Sequence, residues 1–544
     1  MSRLNLDVLC SVCSFLTDVP DVLAFSLTCS TLRPAAIQRR LGMRPVTITD
    51  GRSINSLYEF VFVDKPARSP HIHAIVIPQS AAPLLQGFPE ELLRRLLAIL
   101  SATTRVHTLS LYLPSRSSSS LLAHPLIVPA IARLSGIREL TLIASFERAN
   151  ALLRCIRSPI KAFRYASLHK DLSTLRNTTF MGLSAQLAAV HSRRPMLQEM
   201  DEKLVLEDVA RHLGHTICEL ELPHAYLPKR VFSPRPPGPF LAVRSFTLQD
   251  VAELVQLDVL LHILPNLNDT LVVEASPRFY NSVMARDRQR VETIREANRH
   301  SQEKHAWKKL DRVISTPLML FALGLTCPLH HLTLDFTAAS TSPQDLDVVL
   351  RDHTPTHLTI SGLRLPAGLA HLDDLFSADG ALPRTTHLVI IAEYNSVDDG
   401  GKLLWPEDVL ETLLTRIDHL GLTHVRIVTS GLISDADPFS ASVHHGIRDL
   451  SFERLAAQLL DAVPSLSHIF FTSRGVVLEN DKRIQDVWSV NKAWRVPSAT
   501  PGPVSAVSVF GQDLQELSLE EAETVLDKED MRTTEETKRA TYYA

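Results

Sequence analysis

At 544 residues the chain has room for several ordinary domains or for one long repeat array. A formal net charge of −4 excludes a global pull toward nucleic acid or anionic membrane, and 45% hydrophobic against 21% charged residues excludes a largely unfolded polymer. Six cysteines over that length are too few for a disulfide framework, so a reducing compartment, cytoplasm or nucleus, is expected.

The chain opens Met-Ser-Arg-Leu-Asn-Leu-Asp, with a charge at Asp7 and no apolar core to cleave behind, so no secretory signal is expected. Leu6, Leu9, Val12, Cys13 and Leu16 recur three or four apart and predict an amphipathic helix. Asp18-Val19-Pro20-Asp21 breaks that pattern. Val22 to Cys29, with Leu23 and Leu27, predicts a second helix, and Arg33 to Leu41 a third, with Gly42 as its stop. Cys10 and Cys13 form a C-x-x-C without a second ligand pair or a βαβ context, and read as small core hydrophobes on one helix face.

These residues resemble the F-box. That family opens on Leu-Pro and then Glu, closes its first helix on a hydrophobic-Leu pair, and continues with Asp-Leu and a Leu-x-x-Val-Cys-x-x-Trp run. The counterparts here are Leu4-Asn5, Asp7, Phe15-Leu16, Asp21-Val22 and the run Leu27 to Leu32, with Asn5 in place of Pro and Leu32 in place of the aromatic residue. The resemblance covers about 40 of the 544 residues. It implies docking onto the Skp-type adaptor of a Skp–cullin–F-box ubiquitin ligase. It assigns Leu4, Asn5, Leu6, Leu9, Val12, Leu16, Leu23 and Leu27 to the adaptor-binding surface.

Beyond residue 42 short β-like runs carry aliphatic residues two apart, separated by helical stretches and by Pro or Gly. They are Val106–Leu111, Ile137–Leu142, Ile217–Leu222, Val243–Leu248, His331–Leu334, His357–Ile360, His387–Ile390, His424–Ile427 and His468–Phe471. The spacing is uneven, 26 residues from Leu332 to Leu358 and 30 from Leu358 to Leu388, so this is a degenerate match to the leucine-rich repeat. Each strand-plus-helix unit leaves an apolar side that stacking on its neighbours buries. The uneven, Pro-rich array resembles the F-box and leucine-rich-repeat families of mushroom-forming fungi.

The fold class expected is therefore α/β: a short all-helical F-box-like module at 1–42, then an irregular solenoid at 43–510 with a mainly parallel, curved sheet. Loops are expected near 114–125 and 233–240, where Ser and Pro cluster, and a charged helical insertion at 278–314 with Val283, Val291, Ile294, Trp307 and Leu310 as its apolar seam. That insertion is basic, but its acids interleave with its bases, which describes a solvated helix face and not a nucleic-acid site. The acidic end, 511–544, reads as largely disordered. The longest apolar run, Leu318 to Cys327, is shorter than the roughly 18–20 residues that span a bilayer, so no membrane partner is expected.

No nucleophile elbow, phosphate-binding loop or H-E-x-x-H occurs, so neither enzyme activity nor a cofactor or metal is expected. One pattern stands out: His331, His357, His387, His424 and His468 each immediately precede the first core residue of a strand. Period-two alternation points Leu332, Leu358 and Leu388 inward and places His331, Thr333, His357, Thr359 and His387 on the open face, as the expected partner-binding surface. The function expected is a substrate-recognition adaptor of a ubiquitin ligase. The alternative is a repeat-type protein-binding scaffold with no ubiquitin-ligase role, its N-terminal helices acting only as a cap.

Overall fold

The computed structural model describes residues 5–16, 18–63, 66–78, 89–113, 121–144, 146–167, 213–223, 238–251, 253–276, 287–336, 343–365, 372, 375–376, 384–394, 406–417, 420–434, 450–479, 482–497, 514–533 and 536. Three short helices come first: α1 (Leu6–Phe15), α2 (Val19–Thr28) and α3 (Arg33–Met43). They pack around Cys13, Val22, Ala36 and Met43, with Leu16, Val19 and Phe25 against that centre. Pro20 sits in the first turn of α2, where its missing N–H costs nothing, so the break in periodicity is a helix start. The Arg39 guanidinium donates twice to the Leu16 carbonyl, at 2.9 and 3.0 Å, and ties α3 to the end of α1. Gly42 does not stop α3, which runs through it to Met43.

Among the described residues, sixteen strands then form one open sheet whose spatial order follows the chain from first to last. β1 (Val46–Thr47), β2 (Ala74–Ile77), β3 (Thr108–Leu113), β4 (Glu139–Ala144), β5 (Ala162–Ser167), β6 (Glu219–Pro223), β7 (Ser245–Val251) and β8 (Thr270–Ala275) make the first half. β9 (Leu310–Ser315), β10 (Leu329–Asp335), β11 (His357–Leu365), β12 (His387–Tyr394), β13 (His424–Ser434), β14 (His468–Glu479), β15 (Lys482–Arg495) and β16 (Gln515–Glu516) complete it. β1 to β14 pair in parallel, and β15 and β16 close the sheet antiparallel. Parallel neighbours need a crossover, and helices such as Glu90–Ala102, Pro317–Leu323 and Phe452–Ala462 supply it.

The register lines up one buried row across the sheet. Ile75, Leu109, Leu140, Phe163, Leu220, Phe246, Leu271, Val313, Leu332, Leu358, Leu388, Val425 and Ile469 are consecutive cross-strand partners, and every one is buried. A row of this kind is what stacked units bury and a single unit leaves bare. Leu41 of α3 packs against the same core, so the N-terminal module abuts the array.

The structure redraws two expected features. Within 278–314 the described residues are the helix Arg288–Lys304 followed by β9, which pairs in the sheet between β8 and β10. Val291, Trp307 and Leu310 are buried and Ile294 half-buried, as the seam required; Val283 lies outside the described residues. The helix also buries Arg295, Asn298 and Gln302. Asn298 accepts from Leu257 N–H at 2.8 Å and donates to the Val255 and Ala322 carbonyls, so it satisfies backbone groups of two neighbouring connections. In the expected loops, 114–120 and 233–237 lie outside the described residues, whereas Leu121–Ala123 is a buried 3-10 turn and Phe240 is core.

The second redrawing is the acidic end. Residues 514–533 carry β16 and the helix Leu519–Lys528, folded onto the sheet. Ser518 and Glu521 cap each other's backbone N–H groups in a capping box. Leu517, Ala522, Leu526 and Met531 bury against Val389, Phe470 and Ala493 on the sheet face away from the core row. That apolar contact supplies the burial that the acidic composition obscured. Among the described residues no helix is long and apolar enough to cross a membrane.

Candidate functional site

Two regions carry more than packing. In the N-terminal module, Leu6, Val8, Val12, Phe15, Leu23 and Leu27 account for six of the nine large hydrophobic side chains left exposed among the described residues. Phe15 is 77% and Leu27 86% exposed. Short helices bury one stripe each, and α1 and α2 are apolar on a second stripe as well.

Of the expected docking residues, Leu6, Val12, Leu23 and Leu27 are exposed. Asn5 has a structural role: its side chain accepts from Asp7 N–H at 3.1 Å and caps α1. Leu9 and Leu16 are half-buried, Leu16 against the module core, and Leu4 lies outside the described residues. Val8 and Phe15 are exposed as well, without having been singled out as docking residues. Their signal was the spacing of Val8, Val12 and Phe15, a second helical stripe beside the first.

The second region is the histidine row. His331, His357, His387, His424 and His468 are direct cross-strand partners on β10 to β14. Their rings follow one another at centroid separations of 4.2, 3.9, 4.3 and 4.9 Å, the last three pairs stacked near-parallel, with His330 beside the first two. Parallel strands spaced at about 4.8 Å dictate that repeat. Leu332, Leu334, Leu358, Ile360, Leu388 and Ile390 are fully buried on the other side, as alternation required.

This face is not open. The C-terminal segment lies across it and covers the row expected to meet a partner. Thr333 and His387 are buried, and His331, His357 and Thr359 half-buried. Glu529 Oε2 stands 3.2 Å from His387 Nε2, and Asp530 Oδ2 3.3 Å from His331 Nε2. Asp530 also pairs with Arg312, from a left-handed backbone conformation at φ 50° that ends the helix where glycine is usual. Further along, buried Arg426 grips Glu536 with two bonds of 2.8 Å and donates to the Met531 carbonyl.

Electrostatics follow from that cover. Burial, reinforced by the neighbouring rings, pushes His424 down to about 4 and His357 further still, and burial lowers His331, His387 and His468. The ladder is therefore neutral imidazole at pH 7. Burial raises Glu536, but the Arg426 hydrogen bonds and charge outweigh it and hold the carboxyl below its ordinary range. Cys13 is buried and its thiol pushed up by burial, in keeping with a packed hydrophobe.

No protein-family model matches the chain, and no curated protein matches it.

Proposed function

We propose that this protein is a non-catalytic adaptor. Its F-box-like helices dock a Skp-type adaptor protein, and its strand-and-helix array, read as an irregular leucine-rich-repeat solenoid, presents a protein substrate to a ubiquitin ligase. The observation that carries the reading is the exposure of the large apolar side chains Leu6, Val8, Val12, Phe15, Leu23 and Leu27 in the segment whose sequence resembles the F-box. Action would be positional: holding a substrate near a ubiquitin-charged enzyme raises effective concentration without bond chemistry in this chain. Because Glu529 and Asp530 sit on the histidine row, a partner reaches His331, His357 and His387 only when the tail moves aside.

Leu41 against the main core favours a second reading, in which the three helices cap the array of a scaffold with no ligase role. Co-expression of full-length protein with a Skp-type adaptor separates the two. A stable complex lost in the Phe15→Asp, Leu27→Asp variant supports the first; no complex under any condition supports the cap.

A further inference from the structure

We propose that the face of β9 to β14 away from the core row is a receptor for an acidic amphipathic helix of a partner protein, and that residues 514–536 occupy it as a built-in competitor. The inference rests on reading the array as a protein-binding surface and is independent of any ligase role.

The two faces of these strands differ in kind. One carries the aliphatic row of Val313, Leu332, Leu358, Leu388, Val425 and Ile469. Alternate residues on the other include Thr333, His387, Val389, Arg426, Phe470 and Arg474, all buried. Val389, Arg426, Phe470 and Ala493 are consecutive cross-strand partners, so a guanidinium sits within an apolar strip. Arginine together with aromatic side chains marks the centre of protein–protein contacts more than interiors, where a buried charge is costly.

What covers the strip matches it in both respects. Leu517, Ala522, Leu526 and Met531 cluster with Val389, Phe470 and Ala493, while Glu529, Asp530 and Glu536 meet His387, Arg312 and Arg426. Arg474 brings a second guanidinium to 3.6 Å from Glu536. Arg532, basic itself, turns back to Glu523 at 2.6 Å and to Asp527, so the tail offers the sheet acids and apolar groups. Phosphates would satisfy the arginines but leave the apolar strip bare, which favours a helix over a nucleic acid. The fit has a gap. Glu536 takes both terminal nitrogens of Arg426, whose side chain is 3% exposed, while its buried Nε has no hydrogen-bond partner among the described residues. Buried donors are seldom left so. A tethered segment holds its place at high effective concentration despite an imperfect fit, and a partner helix that supplies the missing acceptor would displace it.

The test uses full-length protein whose tail is lifted by Leu526→Asp, Met531→Asp, with hydrogen exchange across 517–531 reporting the lifting. Three labelled peptides serve as probes: residues 514–536 themselves, an unrelated helix with apolar and acidic residues at the same spacings, and that helix with Lys for its acids. Both acidic peptides should bind the lifted variant roughly tenfold or more tighter than wild type, where the tethered tail competes. The Lys helix should not bind. Arg426→Ala in the lifted background should weaken the acidic peptides by roughly tenfold or more. If circular dichroism shows the lifted variant unfolded, Glu529→Gln, Asp530→Asn, Glu536→Gln, which removes only the tail's charges, replaces it in the same assay. A tail that stays protected in the variants overturns the inference, as does binding of the tail's own sequence alone. Equal binding of the Lys helix, tighter binding of a single-stranded oligonucleotide, or affinity that survives Arg426→Ala in a folded protein does the same. No binding of either acidic peptide, with the Skp-type adaptor complex intact, sinks this inference and leaves adaptor docking standing.

Discussion

At the scale of single residues the sheet has two chemically distinct faces, and substitutions should divide along them. Leu332 and Leu358 are fully buried cross-strand partners. Replacing either by Ala should cost about 2–5 kcal/mol through the cavity left behind, read as a lower denaturant midpoint. On the other face, Arg426→Ala strips two bonds from Glu536 and one from the Met531 carbonyl. Tail docking should then weaken by about 1–3 kcal/mol, scaled down from a fully buried pair because Glu536 keeps some solvent contact. Hydrogen exchange at 526–533 measures it. The histidines set a pH dependence whose sign is fixed. Their folded values lie below the ordinary 6.5, so the stability they contribute is present above that pH and is lost as pH falls toward about 4 for His424. Glu529 and Glu536 are also held low, so their contribution disappears in the same direction. The charges facing the row include Asp311, Arg312, Lys528, Asp530 and Arg495. Between pH 6.5 and 4 the last helix should come off the sheet while the core row stays intact; protease cleavage of the tail without global unfolding is the expected observation.

At the scale of elements, strands were legible where two aliphatic residues stood two apart. All nine runs marked that way, from Val106–Leu111 to His468–Phe471, coincide with strands. β5 went unmarked because Ala162-Phe-Arg-Tyr-Ala-Ser carries aromatics in place of the Leu pair. β9 was hidden inside a charged stretch, since Leu310 and the Trp307 before it read as the seam of a helix. The tail helix was legible in principle. Ser518-x-x-Glu521 announces a helix start, and Ala522, Val525 and Leu526 follow at helical spacing. What the sequence could not show was where it lands, because His387 and Glu529 are 142 residues apart and meet only through the register of β12. Deleting 511–544 should therefore be harmful, not neutral. It uncovers Val389, Phe470 and Ala493, and the truncated protein should melt lower and bind more of an apolar dye than the intact chain does.

At the scale of the whole molecule, the N-terminal module abuts the first part of the array through Leu41, while the C-terminal segment folds back over β10 to β15. Apolar surface is concentrated at the opposite end from the covered histidines, in α1 and α2. That division fits a chain that docks one protein through its first helices and keeps part of its sheet face occupied by its own tail. The measurement that bears most directly on this is size exclusion with light scattering of the full-length chain, alone and with a Skp-type adaptor. The account predicts self-association of the lone protein, and a one-to-one complex with the adaptor. In the Phe15→Asp, Leu27→Asp variant that complex should weaken by about 1–3 kcal/mol per lost anchor, with the fold retained. A lone protein that is a monodisperse monomer, and that ignores the adaptor with or without the substitutions, would contradict it.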